Sequence, residues 1–164
     1  MEYGTQLTQD FFIRPSLKVS PDLLGCIIVS SKESKIVAAK ITETEAYPSS
    51  DPTSHAYERK PTIRTAIQYK NGGYLYEYLI MGLYTITSIV TSKKGEADVS
   101  FIRSVEPIEG IEIMRERRKY FGKDLKRIAS GPGLLSQALG LTPKDNCMYI
   151  CDKNSEIKIF KPSD

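Results

Sequence analysis

The sequence of 164 residues is 40% hydrophobic and 26% charged, enough for one buried core and too short for two ordinary domains. Without an apolar run near the ~18 residues that a membrane helix needs, and with this apolar content, neither a membrane-spanning helix nor a disordered chain is expected. Twenty-three basic against twenty acidic residues leave a net charge of +3, which permits a nucleic-acid partner without arguing for one.

In chain order, residues 23–30 (LLGCIIVS) and 36–47 (IVAAKITETEAY) read as two strands joined by a turn over 31–35, a hairpin. Residues 48–73 hold five Pro or Gly, several Ser and Thr, and no stable period. They read as a long loop with room for one helical turn, and long ordered loops are often functional. Residues 74–81 and 83–91 are strand-like and meet at Met81-Gly82, and 97–105 (ADVSFIRSV) reads as another strand, about five in all. Pro107 opens a helix with Ile108, Ile111 and Met114 at core-facing spacing, running to about Tyr120. Ser130 as N-cap, Pro132 in the first turn and Gly140 past the end bracket a second helix. Strands followed by helices argue for an α+β fold: one domain over residues 1–164, a curved and mostly antiparallel sheet flanked by helices, with a protruding hairpin.

Several chemistries lack their motifs. There is no G-x-x-x-x-G-K-[ST] or G-x-G-x-x-G loop, no G-x-S-x-G elbow, and no H-x-E with P-C-x-x-C deaminase pattern. Cys26, Cys147 and Cys151 are an odd number and read as thiols, and a single histidine leaves no His/Cys set for a metal. No metal is therefore expected, and no nucleotide cofactor through those loops. The start MEYGTQLTQD shows no secretory signal, so a cytoplasmic place is expected, or a nuclear one in a eukaryote. Any chemistry must rest on carboxylates, tyrosines, arginines and His55.

Glu43 and Glu45 continue the parity of Val37, Ala39 and Ile41, which aims a carboxylate along an apolar face, where partial burial would suit a general base. The other reading is that the strand leaves the core at Thr42 and both glutamates are solvated. Tyr74, Tyr76 and Tyr78 share one strand face, a row that could stack on nucleobases or simply pack the sheet. Met81 at a hairpin tip, where polar residues are usual, could wedge between base steps or fold back onto the domain. His55 stands alone in the long loop. Seven basic residues against three acidic between Glu112 and Arg127, and Arg59, Lys60, Arg64 and Lys70 without an intervening acid, are either solvated faces or phosphate contacts.

Read together, Phe11-Phe12 with Pro15, Leu23-Leu24-Gly25, ITETEAY (41–47), His55, RTA (64–66), YLYEYLIMGLY (74–84), FIRSVEPIEG (101–110) and SGPGLLSQALGL (130–141) resemble the alkyladenine, or 3-methyladenine, DNA glycosylase family. The resemblance covers about residues 11–141. It implies a monofunctional enzyme of base excision repair, acting as a monomer on double-stranded DNA, which flips a damaged purine out and hydrolyses its N-glycosidic bond without metal or cofactor. By the same resemblance Glu45 activates water, Arg103 positions water and nucleotide, and Tyr47, His55 and Tyr78 sandwich the base. Ser88 stands where some members crowd the guanine 2-amino group with asparagine. Met81, where tyrosine is common, fills the gap left by the flipped nucleotide, and Arg64 and Tyr84 fall to the DNA backbone. The family's closing Arg-Ile/Val-Gly segment is not found in CMYICDKNSEIKIFKPSD, so one strand of the sheet is expected to be missing or rebuilt. The alternative is a non-catalytic nucleic-acid-binding module using the same aromatic and basic surface.

Overall fold

Strand-forming residues dominate the middle of the chain, and they pair into one sheet. The computed structural model describes residues 2–58 and 61–162. In chain order the strands are β1 (Thr5–Gln6), β2 (Ile27–Ser30), β3 (Val37–Tyr47), β4 (Leu75–Ile80), β5 (Tyr84–Thr91), β6 (Asp98–Glu109) and β7 (Ile157–Lys161). They form an open, antiparallel seven-stranded sheet in the order β1-β7-β2-β3-β6-β5-β4. The α-helices are α1 (Gln9–Phe12), α2 (Ser16–Asp22), α3 (Ile111–Arg118) and α4 (Pro132–Leu139). The fold is thus mixed α+β.

The two sheet faces carry different cores. Along β4 and the residue before it, Leu75 belongs to the larger apolar cluster while Tyr74, Tyr76 and Tyr78 belong to a smaller one, the alternation that a pleated strand imposes. The larger cluster adds Phe12, Val19, Leu23, Met114, Leu135 and Leu139 from the region of the helices, so the helices cover that face. The smaller cluster of Ile67, Tyr76, Val90 and Val99 lies on the opposite face, under the loop that follows β3.

Several boundaries differ from the sequence reading. Leu23 caps α2, so β2 starts only at Ile27. Pro107 does not open a helix: it lies inside β6, opposite Ala39 next to a register shift, where an irregular ladder tolerates the missing N–H. Gly110 sits at φ 70° between β6 and α3, and a Cβ there would come within 2.4 Å of the Ile36 carbonyl, so only glycine makes this turn. The N-cap of α4 is Gly131 rather than Ser130, because Ser130 pairs with Ser104 in an isolated bridge. Residues 157–161 supply a strand after all: β7 inserts between β1 and β2 and buries Ile157 and Ile159.

A register irregularity in β3 decides which way the last residues of that strand face. Ile41 pairs with Val105, Glu43 with Ser104 and Thr44 with Ile102, with shifts on both sides of Glu43. Such a bulge reverses which face the residues beyond it occupy. Ile41 packs in the larger cluster, yet Tyr47 packs with the smaller one. Simple alternation, which put Glu45 on the face of Ile41, therefore fails: Glu45 shares the parity of Tyr47 and turns to the opposite side.

Candidate active site

On the face away from the helices, β3, β4, β5 and β6 offer Tyr47, Tyr76, Tyr78, Ser88, Val99 and Phe101 to a cleft of about 160 Å³. The loop after β3 closes its other side with Thr53, Ser54, His55 and Gln68, the last from a short 3-10 turn, Ala66–Tyr69. That volume matches the roughly 150 Å³ at which an engineered cavity admits a benzene ring, and this cleft is open to solvent on one side, leaving room for a larger flat ring.

Its walls are aromatic and mutually braced. The rings of Tyr76 and Tyr78 lie 5.0 Å apart, and His55 meets Tyr78 edge-on at 4.9 Å. His55 Nδ1 and the Tyr76 hydroxyl share a hydrogen bond of 3.0 Å. Arg64 donates from Nε to the same hydroxyl at 3.2 Å and lies 4.8 Å over the Tyr78 ring, while its residue remains exposed to solvent. Burial pushes the Tyr78 phenol up to about 12 and also raises Tyr76, so both keep their protons at neutral pH. Tyr47 packs on Phe101 at 6.3 Å.

Beside the cleft stands a small charged cluster. The Tyr47 hydroxyl donates to Glu45 Oε2 at 2.7 Å, and Arg103 lies 3.3 Å from Glu45 Oε1 and 3.8 Å from Glu43. Both oxygens of Glu45 are thereby oriented, yet its side chain is 38% exposed and water reaches it. The bond to Glu45 is the main reason that the Tyr47 phenol is raised.

The structure brings together Glu45, Tyr47, His55, Arg64, Tyr78, Ser88 and Arg103. Met81 and Tyr84 lie apart, on the β4–β5 hairpin. Leu83 N–H closes the turn onto the Ile80 carbonyl, with Met81 at φ 53° and Gly82 at φ 66°. Met81 is 86% exposed and flanked by exposed Leu79, Ile80 and Leu83, so it does not fold back onto the domain. Tyr84 leans on the first turn of α4, where Gly133 leaves room for its ring. Sequence reasoning missed Thr53, Ser54, Gln68, Val99 and Phe101; alternation from Val99 to Arg103 was the available signal for Val99 and Phe101.

The basic cluster behaves differently from a free phosphate surface. Arg115, Arg117 and Arg118 donate to the carbonyls of Gly122, Ala138 and Ile128, binding α3 to its neighbours. Met114 packs α3 into the larger cluster, on the other face from the cleft. Of the second basic stretch, Arg59 and Lys60 lie outside the described residues.

An open antiparallel sheet with helices on one face and an aromatic cleft on the other defines an α+β protein shaped to take in a flat ring. Among the described residues, no helix is long and apolar enough to cross a membrane. The sequence profile described as methylpurine-DNA glycosylase matches residues 10–164, and the chain belongs to that family. Similar proteins carry the name "Putative 3-methyladenine DNA glycosylase". One from Clostridium novyi is 40% identical over 158 residues, covering 91% of this chain and 77% of that protein. Another from Natranaerobius thermophilus is 39% identical over 137 residues, covering 83% and 69%. A third from Alkaliphilus oremlandii is 38% identical over 160 residues, covering 93% and 79%.

Proposed function

We propose that this protein is a monofunctional 3-methyladenine DNA glycosylase of base excision repair, which takes an extruded alkylated purine into the aromatic cleft and hydrolyses its N-glycosidic bond. The observation that carries the reading is the placement of a solvent-accessible carboxylate, held by Tyr47 and Arg103, at the edge of a cleft walled by Tyr47, His55 and Tyr78. A 3-methyladenine in DNA is already cationic, so it leaves without being protonated. Glu45 takes a proton from water as the water oxygen bonds to the sugar carbon, and the pair of the broken C–N bond neutralises the departing base. The same negative charge stabilises the oxocarbenium character of the sugar. Electron-rich ring faces favour the cationic base over its undamaged parent.

Extrusion costs a few kcal/mol. Met81, on its exposed apolar turn, fills the gap in the stack and offsets part of that cost. Arg64 and Tyr84 lie toward the DNA backbone in this reading, and the protein acts as a monomer. The deciding experiment is release of 3-methyladenine from methylated duplex DNA. Glu45→Gln should lower the rate by about 10²–10⁴, the usual worth of a general base, while binding to lesion-bearing DNA persists. Equal release by variant and wild type would remove Glu45 from this role. Persistent binding with no release by the wild type would favour the non-catalytic binding module.

A further inference from the structure

Among the polar side chains that line the cleft, Tyr47, Thr53, Ser54, His55 and Tyr76 each engage a protein partner: Glu45, Asp51, the Ala56 N–H, Tyr76 and Arg64 respectively. Gln68 is different. It is 1% exposed and lines the cleft, yet neither its amide nitrogen nor its carbonyl oxygen has a hydrogen-bond partner of acceptable geometry. The Tyr76 hydroxyl lies close enough to the amide for a hydrogen-bonding contact to lower its pKa, but that contact falls outside good hydrogen-bond geometry and the hydroxyl is already engaged by Arg64 and His55. A buried carboxamide with no well-formed hydrogen bond at either end is costly to keep, and an apolar side chain of equal length would fill the same space without that penalty.

We propose that the missing partner of Gln68 is the base itself, and that this residue selects adenine-derived lesions. In this assignment, which rests on the glycosylase reading, the carbonyl oxygen accepts from the exocyclic 6-amino group and the amide N–H donates to N7. This is the paired donor and acceptor edge that glutamine recognises in adenine. In 3-methyladenine both groups are free, and the positive charge of the lesion makes the 6-amino group a stronger donor. In 7-methylguanine the methyl group occupies N7 and position 6 is a carbonyl, so the acceptor end of Gln68 faces another acceptor.

DNA treated with dimethyl sulfate contains both lesions, so release of the two bases can be timed in one reaction. Gln68→Met, matched in length but unable to hydrogen-bond, should slow release of 3-methyladenine about tenfold relative to 7-methylguanine, the lower end for a lost bidentate pair. Gln68→Leu should shift the ratio in the same direction. Because an unpaired amide is removed, the melting temperature of Gln68→Met should rise. An unchanged ratio, with or without a common fall in both rates, would overturn the proposal. So would a lower melting temperature, since it would reveal an internal partner for the amide. If the wild type releases neither base, the glycosylase reading itself falls and this assignment falls with it. Release by the wild type with an unmoved ratio defeats only the role of Gln68.

Discussion

Glu45 is held by its partners rather than by burial. In the proposed mechanism the Tyr47 hydroxyl fixes the carboxylate while the ring of the same residue walls the cleft, and the two tasks can be separated. Tyr47→Phe keeps the ring and removes the 2.7 Å bond; about a tenfold loss in kcat with little change in KM is expected from steady-state release kinetics. Elsewhere Glu77, 4% exposed on the helix-covered face, accepts from Thr87 at 3.1 Å and leaves Oε1 unpaired. Burial raises its pKa well above 4.5. The unfolded chain then releases this proton near 4.5 while the folded chain still holds it, so stability falls as pH rises from 4.5 toward the raised folded value, by up to about 1.4 kcal/mol per pH unit. Thermal melts should show Glu77→Gln gaining on the wild type across that window and matching its slope below it. At this scale the sequence was legible where a residue sat in a contiguous motif, as Glu45 and Tyr47 do. Gln68 and Thr53 were hidden because their loop meets the sheet only through tertiary folding.

Among the elements, the β4–β5 hairpin makes the clearest demand. Met81 adopts a left-handed backbone, at a strain of roughly 1 kcal/mol for a residue with a Cβ. Met81→Gly should therefore leave the melting temperature unchanged or slightly higher. In the wedge reading it should also cut excision from paired duplex about tenfold more than from single strands. A similar loss on both substrates would argue against insertion. Another junction depends on Asp98 at the start of β6, which accepts from Ser16 N–H, Ser16 Oγ and Ser92 Oγ through Oδ2, and from Ser49 N–H through Oδ1. One carboxylate thus joins α2, the β5–β6 turn and the start of the cleft loop. Asp98→Ala should cost about 3 kcal/mol, a drop of about 6–12 °C in melting temperature. Periodicity found the central strands and both later helices, but α1 and α2 are too short to display a period, and Pro107 imitated a helix start inside a strand.

For the whole molecule, the sheet separates stability from chemistry: helices and the larger core occupy one face, the cleft and its loop the other. Order of elements alone pointed to α+β, whereas the places of β1 and β7 required knowing that the two ends of the chain meet, with Tyr3 against Phe160 at 5.5 Å. The division also makes the irregular residue pair at Thr42-Glu43 a phase marker for everything downstream in β3. Removing Glu43 alone would return the strand to strict two-residue rhythm with Glu45 and Tyr47 still on the cleft face, whereas straightening the strand with Glu43 kept would swing both toward the helices, where Thr44 now bonds the Ser20 carbonyl. A chain that kept all of these residues but paired this strand without the bulge would hold every assigned side chain and still point the wrong ones at the substrate, so an inventory of residues without their register would misjudge which relatives can act.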